Sequence, residues 1–441
     1  MSIKKNDKKT IRSWMMYDWA NSVYNLVIVS AIFPIFYGGL TKEFGDKVLI
    51  NENEQIIIKV FGYEFINTAL LSYVGALGFL IVALISPILS GVADYIGRKK
   101  MFMRIFAYMG SFACMGLYFF DFNNLEIGFL FYLLALVGFW GSLVYYNAYL
   151  PEIADKKFHD KISAGGFSMG YIGSVILLLI CLILITTAET VELKRDASRL
   201  SFLLTGIWWF GFSHIFFYRV KDSKEKYKLS TSVFGNGFRE LKIVLKEFMQ
   251  IKTLKRFLPA FFMISCGVQT VMVVAVVYAE KNIAWGKDGA QSGLILSILL
   301  IQLIAIPGAL GMAWVSKKIG NVKALQIIVF AWVLVVSWAY FVKTPFEFYV
   351  TAACVGLVMG SVQALSRSTY SKFLPETEDT SSYFSFYDVT EKLALVVGLF
   401  LFAFLEEITG SMRNSILSIA VFFILGFILL SFVPKDRIAK K

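Results

Sequence analysis

Residues 91–99 read Gly91-Val92-Ala93-Asp94-Tyr95-Ile96-Gly97-Arg98-Lys99, and they lie between two apolar runs, at 66–90 and 101–120. Each run has about the 20 residues that a helix needs to cross a bilayer. The same reading carried outward finds ten more, at 17–40, 126–149, 163–188 and 199–218, then 256–280, 291–314, 322–341, 346–371, 384–405 and 414–433. Composition agrees, since 57% hydrophobic and 17% charged residues over 441 positions give more apolar surface than a water-soluble fold buries. The expectation is an all-α polytopic membrane protein of twelve transmembrane helices.

Charge orients the chain. Lys4, Lys5, Lys8, Lys9 and Arg12 precede span one, Arg98, Lys99, Lys100 and Arg104 follow span two, and Lys156, Lys157 and Lys161 follow span four. The stretch from Arg219 to Arg256, then Lys317, Lys318 and Lys323, Arg367 and Lys372, and finally Lys435, Arg437, Lys440 and Lys441 continue the alternation. Loops that retain Lys and Arg are cytoplasmic, so both termini are expected inside. The net charge of +12 sits in loops beside apolar spans, where topology and anionic headgroups account for it, and nucleic acid is not an expected partner. The first apolar run is long and contains Asp18 and Asn21, so it reads as a retained span, not a cleaved leader. Cys114, Cys181, Cys266 and Cys354 all fall in spans without a CxxC pair, so no disulfide framework, metal site or cofactor is expected. A Lys-, Ile- and Phe-rich chain without targeting signals suggests a prokaryotic inner membrane.

A repeat divides the spans. Ile96-Gly97-Arg98-Lys99-Lys100 after span two matches Ile319-Gly320-Asn321-Val322-Lys323 after span eight at an offset of 223, and Leu150-Pro151-Glu152 matches Leu374-Pro375-Glu376 at 224. The expected organisation is a six-helix bundle at 1–218, a basic cytoplasmic linker at 219–255 and a second six-helix bundle at 256–441. Six plus six spans with both ends inside resembles the major facilitator superfamily, and residues 91–99 are similar to its loop pattern G-x-x-A-D-x-x-G-R-K. Gly91 would let a helix approach closely, Gly97 would permit the tight turn, and Asp94 with Arg98 would form an ionic latch. Lys317 stands where Asp94 would repeat, so the second latch is expected to have degenerated.

Polar side chains recur on helical faces inside the spans. Asp18, Asn21, Ser22 and Asn25 share one face of span one. An acid at the bilayer centre costs roughly 2.5–3.5 kcal/mol on insertion scales, so such a stripe belongs on a water-filled cavity or another helix. Asp18 fits equally well as an N-cap at the membrane surface, but Asn25 lies too deep for that. Gln363, Ser366, Arg367 and Tyr370 repeat the spacing in span ten. Arg367 needs a partner, for which Asp388, Glu391 and Glu152 are candidates in a cytoplasmic gate; Asp388 and Lys392, four residues apart, would as readily pair with each other. Ser265, Gln269 and Thr270 in span seven and Gln302 in span eight join the candidate cavity set. Gly166 with Gly170 and Gly356 with Gly360 have GxxxG spacing and are expected to pack closely so that the halves rock. Tyr145, Tyr146 and Tyr149 read as an interfacial belt.

Several stretches together resemble the vacuolar amino-acid effluxer family linked to autophagy and its bacterial homologues. They are Tyr17-Asp18-Trp19-Ala20-Asn21-Ser22, Tyr146-Asn147-Ala148-Tyr149-Leu150-Pro151-Glu152-Ile153, Gly170-Tyr171-Ile172-Gly173, Gly267-Val268-Gln269-Thr270, Gln363-Ala364-Leu365-Ser366-Arg367-Ser368 and Phe386-Tyr387-Asp388-Val389. The resemblance implies secondary transport of a small solute with amino acids as the leading class, and it adds Asn147 to the cavity set. Cys266 stands where an acidic residue is expected before Gly267. The chain has no P-loop for ATP, so it must draw on a gradient or a partner, with the proton as default coupling ion and Asp18 as the first titratable candidate ahead of Glu152, Asp388 and Glu391. A monomer in contact with lipid, rocking around a midplane site, is expected. A lipid-acting enzyme would need a clustered nucleophile, acid-base pair or metal set that the sequence lacks; a permease for peptidoglycan fragments or lysolipids, or a receptor of the same fold, are the alternatives.

Overall fold

The computed structural model describes residues 4–50, 53–220, 233–286 and 290–434. The basic residues within 221–232 and 435–441, used above for orientation, lie outside the described residues. Spans one to six are Lys8–Phe44, Asn67–Ile96, Lys99–Phe119, Phe122–Ile153, Lys156–Thr186 and Val191–Arg219. Spans seven to twelve are Lys252–Asn282, Ala290–Ile319, Asn321–Ala339, Pro345–Phe373, Thr380–Thr409 and Met412–Ser431. Eleven are long and apolar enough to cross a membrane. Span eleven has the length but carries Asp388, Glu391, Lys392, Glu406 and Glu407; it belongs in the bundle because Asp388 and Lys392 are 4% and 2% exposed and face protein.

Local sequence sets the helix ends. Span one starts nine residues before its apolar run because Asp7 caps it, accepting from the Thr10 hydroxyl and amide at 2.7 and 2.9 Å; those bonds hold the Asp7 carboxyl below the usual range. Asp18 therefore lies roughly three turns inside the helix, which overturns its reading as an N-cap. Span ten opens on a capping box of Thr344 and Glu347 with Pro345 between them. Gly97 closes span two at φ 75°, a conformation glycine adopts without a Cβ penalty. Tyr24–Ala31 in span one forms a π-helical stretch, a wider turn often found at functional positions, and it carries Asn25.

The loop after span one is a small antiparallel sheet of β1 (Asp46–Ile50), β2 (Asn53–Val60) and β3 (Tyr63–Ile66) in the order β1-β2-β3. Val60 pairs with Tyr63 across a two-residue turn in which Phe61 and Gly62 have φ 51° and 81°, the left-handed geometry of tight hairpins. Ile58 and Val60 are buried against the first bundle.

Span one packs on spans five and six, span three on span four, span eight on span ten, and span seven on spans eleven and twelve. The bundles meet where span two crosses span eleven and span five crosses spans eight and ten. Three of the four GxxxG glycines pack within their own bundle: a Cβ on Gly356 or Gly360 would stand 2.5 or 2.2 Å from the Ile301 or Ala305 carbonyl of span eight, and Gly170 faces Ser22 of span one, whereas Gly166 also faces Arg367 of the other bundle. Outer faces such as Leu77, Leu80 and Leu84, or Phe400, Phe404 and Ile408, are exposed apolar surface, as helices in lipid require. In the connecting stretch, the linker helix Val233–Gln250 lies across both bundles. A Cβ on Gly91 would meet the Gly237 carbonyl at 2.3 Å, so glycine is what admits this helix to span two. On its other side Glu247 accepts from the Tyr383 hydroxyl of span eleven at 3.2 Å.

Candidate functional site

Between the bundles lies a cavity of about 140 Å³ whose wall comes from spans one, four, five, seven, eight, ten and eleven. Asp18, Asn21, Ser22, Asn25, Asn147, Gln269, Gln363, Ser366 and Arg367 all line it. Thr270 does not; it is buried against Gly398 of span eleven, where a Cβ would stand 2.2 Å from its hydroxyl. One helical turn separates Thr270 from Cys266 and only 100° separates it from Gln269, so adjacent residues face different neighbours.

The centre of the wall is a buried ion pair across the bundles. Arg367 Nη2 lies 3.2 Å from Asp18 Oδ2, with the two side chains 3% and 5% exposed. Arg367 also donates to the Ser163 hydroxyl and carbonyl at 2.9 Å each and to Asn147 Oδ1 at 3.3 Å. Its guanidinium stacks 4.1 Å from the Phe167 ring and 4.9 Å from that of Trp14. Asp18 accepts a further bond from the Tyr146 hydroxyl at 2.7 Å, and Tyr146 stacks on Trp14 at 4.4 Å. A rigid guanidinium fork satisfies several acceptors at once and tolerates burial when each donor is used. Gly166 makes the room: a Cβ there would fall 2.4 Å from Asp18 Oδ2 and 3.1 Å from Arg367 Nη2.

These contacts correct two expectations. Arg367 is partnered by Asp18, not by the acids of span eleven or by Glu152. Tyr145, Tyr146 and Tyr149 are 1%, 0% and 0% exposed, so they are interior packing residues and no interfacial belt. Tyr146 was missed as a site residue although it opens the quoted stretch Tyr146-Asn147; clustering of aromatics at a helix end suits both locations. In the rest of the wall the Tyr171 hydroxyl donates to Gln363 Oε1 at 2.7 Å, while Asn21 Nδ2, Ser366 Oγ and Gln302 Oε1 are buried without a protein partner. Buried polar atoms of that kind need a ligand or water.

At the end that carries the termini the bundles close at two corners. In the first, Asp94 at the end of span two accepts from the backbone amides of Ser381 and Ser382 at 3.3 and 2.7 Å. A carboxylate facing a helix N-terminus meets unsatisfied amides and the positive end of the dipole. Beside it Lys99 pairs with Glu152, and the Thr380 hydroxyl bridges them, accepting from Lys99 at 2.7 Å and donating to Glu152 at 2.8 Å. In the second corner Asp160, at the start of span five, pairs with Lys372 of span ten at 2.5 Å and accepts from Asn321 and Ser316 at 2.8 and 2.9 Å. The second latch has therefore not degenerated: its acid stands on the facing helix. Lys99, Thr380, Asp160, Asn321 and Lys372 were missed as site residues, because the repeat and the charge pattern contain Lys99, Asn321 and Lys372 without showing which residues of the other bundle they meet. Gly97 sits in the turn beside Arg98; Asp388, Glu391 and Lys392 lie further along span eleven, where Glu391 lines the cavity and Asp388 and Lys392 are buried beside it.

Twelve helices in two bundles around a polar, ion-paired cavity define a transporter of the major facilitator type. Residues 6–441 match the family described as vacuole effluxer Atg22 like, and the chain belongs to that family. It is 31% identical to the uncharacterized MFS-type transporter YxiO of Bacillus subtilis over 98% of this chain and 96% of that one. Identity is 22% to autophagy-related protein 22-1 of Aspergillus niger, over 98% and 89% of the two chains. Among solved structures, FucP in its outward conformation superposes with a TM-score of 0.70 at 12% identity, over 97% of this chain and 99% of that one. The proton:xylose symporter XylE superposes at 0.67 and 12%, over 98% and 96%.

Proposed function

We propose that the protein is a secondary active transporter that moves a small polar solute, an amino acid, by alternating access driven by a proton gradient, with both termini in the cytoplasm of a prokaryotic cell. The observation that carries this reading is the Asp18–Arg367 pair in the cavity wall beside unpartnered Asn21, Ser366 and Gln302 atoms. A zwitterion brings a carboxylate that Arg367 recognises and an ammonium that Asp18 recognises, so it replaces each partner as it separates them. About 140 Å³ is below the roughly 300–1,000 Å³ of pockets that take drug-sized ligands, which favours a small solute over a peptidoglycan fragment or lysolipid. The closed corners correspond to a state shut toward the cytoplasm. The asymmetry of Cys266, set where the family pattern suggests an acid, leaves span seven with an amide, Gln269, as its polar contribution.

The test is uptake and efflux by the purified chain in proteoliposomes, across a panel of amino acids, sugars, muropeptides and lysolipids, with and without an imposed proton gradient. Movement of amino acids that Asp18→Asn abolishes is the expected result. Absence of movement of any solute under any gradient would overturn the reading, and movement of lysolipid alone would replace its substrate.

A further inference from the structure

Span eleven holds a second charged cluster that the central pair does not use. Lys392 Nζ donates to Asp388 Oδ1 at 2.6 Å and lies 3.5 Å from Glu391 Oε2. The same ammonium sits 3.6 Å above the Trp140 ring of span four. Glu391 Oε1 accepts from Gln269 Nε2 of span seven at 2.9 Å, and Glu391 lines the cavity. Asp388 Oδ2 is buried with no hydrogen-bond partner, on a residue 4% exposed.

The charges do not balance. Two carboxylates face one ammonium in a part of the bundle where an unpaired charge is expensive. The groups around the cluster do not supply the missing positive charge: span four offers Trp140 and Tyr145, span seven Gln269 and Cys266, span two Asp94 further along, and span eleven itself Tyr387. The one charged side chain of span twelve, Arg413, bonds to Asn282 and Val342 at the far end, and Glu247 of the linker helix bonds Tyr383. Arg367, the cation across the cavity, is committed to Asp18, Ser163 and Asn147.

We infer that the Asp388–Glu391–Lys392 cluster is a proton-binding site, separate from the Asp18–Arg367 pair, which takes up one proton on Asp388 Oδ2 by way of Glu391 and the cavity. One O–H bond forms, the cluster goes from one net negative charge to none, and the proton leaves by the same carboxylate when the cavity opens to the other side. The orphaned oxygen is the acceptor of that proton, and Glu391, half in the cavity wall, is its entry. This deepens the transport reading by naming where the driving ion binds, and it displaces Asp18 from that role.

Infrared difference spectroscopy of the purified full chain during a pH titration tests the site without any solute. The C=O stretch of a protonated carboxylic acid should appear in the wild type as pH falls. It should be lost in Asp388→Asn, altered in Glu391→Gln and retained in Asp18→Asn. Should Asp388→Asn fail to fold, Glu391→Gln carries the test. A band that survives both span-eleven variants, that vanishes only in Asp18→Asn, or that never appears would overturn the inference. In proteoliposomes that move a solute, Asp388→Asn should lose accumulation driven by a proton gradient. If wild-type vesicles move no solute the transport reading fails, while the infrared result still decides the proton site.

Discussion

Replacing Arg367 by Gln removes the cation that ties span ten to spans one, four and five. The side chain is 3% exposed and its loss leaves Asp18, 5% exposed, without a counter-charge. Breaking a buried ion pair by removing one partner costs about 3–5 kcal/mol, because the remaining charge stays buried and uncompensated. With about 2–4 °C per kcal/mol for a unit of 150–250 residues, the melting midpoint should fall by about 6–20 °C. Tryptophan fluorescence during heating of the detergent-purified protein reads this directly, since Trp14 packs under Arg367. The double variant Asp18→Asn with Arg367→Gln removes both charges and should recover part of the loss, with an interaction energy of about 0.5–3 kcal/mol. An Arg367→Gln midpoint within about 2 °C of the wild type, below what the loss of 1 kcal/mol would shift, would refute the argument. So would strict additivity in the double variant.

Tyr146→Phe removes one hydroxyl from Asp18 and should cost about 1.5–3 kcal/mol, the value of a hydrogen bond to a charged group, measured by the same melting experiment. Gly166→Leu forces atoms into the space between Asp18 and Arg367 and should abolish transport and lower the midpoint, whereas Gly211→Leu, with nothing within 4 Å of its Cβ position, should change neither. Lys99→Met together with Lys372→Met strips a cation from each corner; spin labels at the exposed positions 157 and 376 should then report a longer distance by electron-electron resonance, and an unchanged distribution would remove the corners from the closure. Gly91→Leu should detach the linker helix from span two and raise protease cleavage within 233–250 in the folded protein.

How far the sequence was legible depends on what each residue type reports. Apolar runs located every span, because lipid imposes one length and one chemistry on a crossing helix. Span eleven was recognisable too, although its charges weaken the apolar signal. The polar stripe Asp18, Asn21, Ser22 and Asn25 pointed to the cavity because a 3.6-residue period reveals a face. Partner choice was not legible: Arg367 had acids in spans one, four and eleven to choose from, and only tertiary geometry selects Asp18. Gly166 was read as a packing glycine of span five, since spacing shows that a side chain is absent but not what fills the space. The sheet at 46–66 was missed because Ile56-Ile57-Ile58 is continuous, not alternating, and the Phe61-Gly62 turn is not one of the common hairpin dipeptides.

The two corners and the central pair differ in what opening does to them. Asp94, Glu152, Asp160 and Lys372 lie at the end of the bundles, so when they part water replaces their partners, and the net loss per bond is modest although each is strong in isolation. Opening at the corners is therefore reversible at small energetic differences, as a two-state carrier needs. Arg367 and Asp18 are 3% and 5% exposed, so parting them without a replacement partner leaves two buried charges uncompensated. A partner charged at both ends would compensate both of them, and in the function proposed above a zwitterion in the cavity is that substitute. On this reading solute binding and separation of span ten from span one are one exchange of partners, so the empty protein holds its bundles together at the centre and the loaded protein does not. A ligand shifts such an equilibrium only through its difference in affinity for the two states, and here that difference resides in the bonds that Arg367 makes to Asp18 when no solute is present.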